Sequence, residues 1–95
     1  MLLANSSIPL YKQLYHQLRD AIESGEFKVG NQLPSERQLA AEYGISRLTA
    51  RKALSLLRQD GYVRAYQGRG SFVARNKPEV YRRTRLIGFS ERMLQ

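Results

Sequence analysis

Between Leu33 and Val73 the chain writes two short amphipathic helices three residues apart and then a glycine-punctuated ribbon, an order that few folds accept. Pro34 blocks the first helix from extending backwards. Ser35 is its N-cap, and Gln38 stands where a capping box returns a bond to the cap's own N–H. Leu39, Ala40 and Tyr43 form its apolar stripe, and Gly44 ends it in the left-handed conformation that glycine enters freely. Ser46 then caps a helix expected over about 46–60, with Ala50, Ala53, Leu54 and Leu57 inward and Arg47, Arg51, Lys52 and Arg58 outward. A gap as short as Gly44-Ile45-Ser46 makes the two helices cross steeply, the geometry of a helix-turn-helix.

Gly61 stops that helix, and Tyr62 to Tyr66 and Ser71 to Val73 are β-formers around a turn from Gln67 to Gly70, which predicts a hairpin. Upstream, Pro9 suits a first helical turn, and Leu10, Leu14, Leu18 and Ile22 recur every four residues, with Gly25 as the stop. Phe27 and Val29 alternate with polar residues into a Gly30-Asn31 turn, and Leu33 reads as a one-strand stub. The expected architecture is mainly α with a small β-hairpin: a winged helix-turn-helix over 8–75. Residues 76–85, polar and basic with Pro78, read as a linker, and Leu86-Ile87-Gly88-Phe89 as a strand without a sheet.

Charge follows the same division. The 95 residues carry a net +8, yet residues 1–45 hold four basic and five acidic side chains against twelve and three in 46–95. The basic half begins at the second helix of the pair, which points to nucleic acid rather than to solubility alone. With no cysteine there is no disulfide framework, thiolate nucleophile or cysteine-ligated zinc. No apolar run reaches membrane-spanning length, and the first residues lack a charged n-region, so the expected location is the cytoplasm.

Candidate contacts sit at the helix starts and the hairpin tip. Arg47 is the first residue after its cap and Arg51 is one turn on, so either can offer a guanine O6 and N7 two parallel N–H bonds. Arg37 holds the matching place on the preceding helix. The competing reading is a solvated surface arginine, or one paired with Glu36 or Glu42. Ser35, Ser46 and Thr49 place hydroxyls where free N–H groups attract an anion, although capping alone explains the two serines. At the wing, Gly68 permits close backbone approach to a groove, flanked by Gln67 and Arg69 as donors. His16 falls off the apolar stripe, Asp20 and Glu23 have no cleft, and Gly68-Arg69-Gly70 lacks the strand-to-helix context of a nucleotide fingerprint, so no enzyme and no cofactor is expected in this chain.

Pro9-Leu10-Tyr11-Lys12-Gln13-Leu14, Leu33 to Ala40, Gly44 to Leu54 and Gly68 to Val73 closely resemble the N-terminal domain of GntR-family bacterial transcription regulators, over about residues 8–74. The resemblance implies that Arg37 and Arg47 read guanines, that Thr49 and Arg51 contact the backbone or neighbouring bases, and that Gly68 enters the minor groove. Position 48 varies in that family and Leu48 offers no hydrogen bond; Ala50 replaces a commoner valine. Arg85 to Met93, with Phe89-Ser90-Glu91, is similar to the opening of the effector-binding domain of the HutC subfamily. That implies a repressor acting as a homodimer on a palindromic operator, with 86–95 the truncated start of its effector domain and a small-molecule effector bound beyond it. The fragment itself is then expected to be monomeric or weakly paired. Two alternatives stay open: a winged helix serving as a protein-interaction module, and the leader domain of an aminotransferase-type fusion.

Overall fold

A computed structural model describes residues 2–75. The expected linker 76–85 and effector-domain start 86–95 lie outside the described residues. Three helices precede one hairpin: α1 (Leu10–Glu23), α2 (Glu36–Tyr43), α3 (Arg47–Gln59), β1 (Val63–Tyr66) and β2 (Gly70–Val73). The winged helix-turn-helix architecture expected from the sequence is the one observed.

Each helix begins and ends where its cap chemistry dictates. Pro9 occupies the N-cap of α1, one residue before the helix rather than in its first turn. No side chain caps the helix; Gln13 instead ties the preceding segment to it, its Nε2 donating to the Leu3 and Ile8 carbonyls at 2.9 and 2.8 Å and its Oε1 accepting the Leu3 N–H at 2.7 Å. Ser35 Oγ accepts the Gln38 N–H at 3.1 Å while Gln38 Oε1 accepts the Ser35 N–H at 2.8 Å, completing the capping box of α2. Gly44 closes that helix at φ 67°, where a Cβ would be strained. Ser46 Oγ accepts the Thr49 N–H at 3.0 Å and starts α3.

α3 is the element everything else packs on, touching α1, α2 and β1. Its stripe of Ala50, Ala53, Leu54 and Leu57 meets Leu14, Leu18 and Ile22 of α1, Leu39 of α2, and Val63 and Val73 of the hairpin in one core. In α2 only Leu39 is fully buried; Ala40 and Tyr43 lie at the core's edge, because a helix of 8 residues presents barely one full stripe. Two tyrosines bind the layers by their hydroxyls: Tyr62 donates to Glu23 of α1 at 2.5 Å, and Tyr15 donates to Asp60 at the end of α3. Burial, then the Glu23 carboxylate, pushes the Tyr62 phenol far above its ordinary pKa. Its proton therefore stays in the bond.

The hairpin is antiparallel, pairing Val63 with Val73 and Tyr66 with Gly70. β2 thus starts one residue earlier than the sequence suggested, leaving a three-residue loop that Arg69 N–H closes onto the Tyr66 carbonyl at 2.9 Å. The third strand is shorter than a strand. It is a single bridge between Gln32 and Phe72 rather than a stub centred on Leu33, whose side chain is buried and whose N–H donates to Ser71 at 2.8 Å. Phe27 and Val29 form no strand despite their alternation, because Asn31 Oδ1 takes the Lys28 N–H at 2.8 Å and folds the segment into a turn.

Candidate nucleic-acid interface

The N-terminal ends of α2 and α3 open toward the same side as the hairpin tip. An open groove of about 640 Å³ runs between them, with Ser35, Arg37 and Arg47 on the helical side and Gly68 and Arg69 on the wing. Residues from position 35 to position 69 therefore converge on one surface because α3 packs on both α2 and β1. The remaining sequence candidates stand around it. Ser46 Oγ is the cap of α3 and shares a hydrogen bond with Thr49 Oγ1 at 2.9 Å, so both hydroxyls already have a partner within the domain. Gln67 is exposed at the tip, outside the lining.

The two outward arginines in the first turns of α3 differ in how they are held. Glu36, at the first position of α2, accepts Arg51 Nε at 3.0 Å and Arg51 Nη2 at 3.2 Å, a fork-to-fork pair across the two helices. The same carboxylate lies 4.0 Å from Arg47 Nη2. Of the two pairing partners the sequence offered, Glu36 is the one engaged. Arg51 thus takes the pairing that the sequence left open, its guanidinium engaged in a two-pronged bond, whereas Arg47 is not so held. That bond raises the Arg51 pKa above its ordinary value. Arg47 keeps an exposed side chain, 59 % accessible, and among the described residues its ion pair is the long contact to Glu36. Lys52, also outward, has its Nζ 5.6 Å from the centre of the Tyr11 ring.

Glu36 and Gln32 are the residues whose part at this surface sequence reasoning missed or underweighed. Gln32 Nε2 donates to the Arg69 carbonyl at 2.8 Å, tying the wing tip to the connection before α2. A Cβ built on Gly70, whose φ is 109°, would meet that same amide at 2.6 Å. The backbone angle requires the glycine, and any side chain there would also displace the flexible Gln32 amide from its bond. Gly68, at φ 77°, has open space around it, so only its backbone angle restricts substitution from within the domain.

The surface has the form of a DNA reader: a helix start with an exposed arginine, a second helix start beside it, and a tied ribbon with an unobstructed glycine at its tip. Comparison with known proteins agrees. The chain is 46% identical over 74 residues to the HTH-type transcriptional repressor NagR of Bacillus subtilis (strain 168), a match that takes in 78% of this chain and 30% of that protein. Among solved structures it resembles YtrA from Sulfolobus acidocaldarius, a GntR-family transcription factor, with a TM-score of 0.73, 34% identity, and 92% of this chain and 88% of that one covered. It also resembles AraR(DBD) in complex with operator ORR3, with a TM-score of 0.70, 32% identity and coverage of 78% and 89%. The chain spans about a third of the length of the curated relatives it matches. Residues 10–73 match the family model of bacterial regulatory proteins, gntR family, and to that family the chain belongs.

Proposed function

We propose that this chain is the sequence-specific DNA-binding part of a HutC-like transcriptional repressor, with α3 in the major groove and the wing tip at the minor groove. The convergence of Arg37 and Arg47 with Gly68 and Arg69 on one groove carries the reading. In it, Arg37 and Arg47 read bases, Ser35, Ser46, Thr49 and Arg51 support them or meet phosphate, and Gln67, Gly68 and Arg69 form the wing contact. The Arg85 to Met93 stretch supports the HutC assignment. On that assignment the full-length regulator is a homodimer on a palindromic operator, controlled by a small-molecule effector bound outside this chain.

Salt tests the first step. Phosphate neutralisation releases counterions, so the log of affinity for duplex DNA should fall linearly with log salt, by about 0.9 for each phosphate engaged. Fluorescence anisotropy across a salt series measures the slope. A flat line would replace DNA with a protein partner for the same face.

The wing gives a second expected result. Gly68→Val places a β-branched residue at φ 77° in space that is otherwise open, so the helices stay as they are and only the tip is strained. DNA binding should weaken by about tenfold, with circular dichroism nearly unchanged. Unaltered affinity would mean that the wing stays clear of the duplex.

A further inference from the structure

Leu48, the second residue of α3, is 57 % exposed. It belongs neither to the core nor to the apolar side chains packed against the core. Helix geometry makes this exposure a placement. At about 100° per residue, the stripe of Ala50, Ala53, Leu54 and Leu57 faces the domain, and Leu48 stands almost diametrically opposite, in the middle of the outward face. Its neighbours on that face, one turn on, are Arg51, held by Glu36, and Lys52, while Arg47 precedes it at the edge beside the groove. A large apolar side chain thus occupies the centre of a basic surface at the helix start that the proposed function lays against bases.

The chemistry of the major groove leaves such a residue one thing to recognise. Each base pair presents hydrogen-bond donors and acceptors there, and a single apolar group, the C5-methyl of thymine. Leucine neither donates nor accepts, so the hydrogen-bond code is closed to it. Resting on the DNA-binding reading above, we propose that Leu48 is a specificity-determining residue of this chain that packs on a thymine methyl next to the base pair Arg47 reads. Contact removes apolar surface from water on both partners, and a cytosine at that position offers an amino group that leucine leaves unpaired.

Replacing thymine by uracil deletes the methyl and leaves every hydrogen-bonding group in place. The 95-residue chain is used to select binding duplexes from a randomised pool, and each thymine of the selected sequence is then changed singly to uracil. With the unaltered chain, one thymine per half-site should cost about fourfold in affinity when its methyl is removed, the worth of one buried methyl-sized group. With Leu48→Ala, an exposed change to a better helix former, that position should become indifferent to uracil while the guanine preference assigned to Arg47 persists. Circular dichroism verifies that the variant is folded. If no thymine is sensitive, or if the same thymine stays equally sensitive in Leu48→Ala, the methyl contact is wrong while the DNA-binding reading stands. If the pool yields no enriched sequence, the DNA-binding reading itself falls, and this proposal with it.

Discussion

Arg47→Ala should leave the domain folded and remove most of its ability to tell operator from random duplex. The side chain is exposed and takes no part in the core, so nothing in the packing of α3 depends on it. A bidentate arginine–guanine contact is worth roughly 1 to 3 kcal/mol of discrimination, so the ratio of specific to random affinity should fall about 5- to 150-fold per half-site. Binding to random DNA should lose no more than one phosphate contact's worth. Arg51→Ala is expected to do less to the ratio, because Glu36 holds that guanidinium with two hydrogen bonds. Competitive anisotropy titrations with selected and scrambled duplexes separate the two affinities. Equal losses for Arg47→Ala on both duplexes would make it a phosphate contact and move base reading elsewhere.

The contrast between the two arginines marks where sequence reasoning ends. Ser35 with Gln38, Gly44, and Ser46 with the Thr49 N–H are signals confined to neighbours within one turn, and the structure carries all of them. Their chemistry is local, so the sequence contains both partners in order. The pairing of Glu36 with Arg51 joins residues fifteen apart on different helices, and Gln32 reaches the Arg69 carbonyl across thirty-seven. Such bonds exist only once the helices have crossed and the hairpin has folded back. No spacing rule chooses Glu36 over Glu42. The Gly30-Asn31 turn belongs with the local signals, since Asn31 Oδ1 takes the Lys28 N–H, whereas the pairing of Gln32 with Phe72 that follows it is long-range. The candidate residues that share the groove were therefore legible by position, since helix starts and a wing tip are sequence features, whereas their division into held and exposed groups is a property of the fold.

Leu57→Ala should produce the largest loss of stability and, unlike Arg47→Ala, should leave the reading of bases untouched. Leu57 is fully buried on α3, and its carbonyl accepts the Tyr62 N–H at 2.9 Å where the chain turns into β1. Truncation there leaves a cavity among α1, α3 and the hairpin, at a cost of about 2 to 5 kcal/mol. For a domain of this size that is a large share of the total, which is typically about 5 to 15 kcal/mol. The midpoint of thermal unfolding should drop by roughly 8 to 40 °C, given about 4 to 8 °C per kcal/mol in domains this small. Molecules that remain folded still present Arg37, Arg47 and the wing tip. Apparent affinity for every duplex should fall by the folded fraction alone, and the ratio of operator to random binding should hold. DNA itself should restore part of the lost stability, since it binds the folded form only. Calorimetry with and without duplex, beside titrations below the melting range, tests both halves. An unchanged melting point would deny Leu57 its place in the core, and a collapsed ratio in a folded protein would show that α3's packing, and not its exposed face alone, sets which sequence is read.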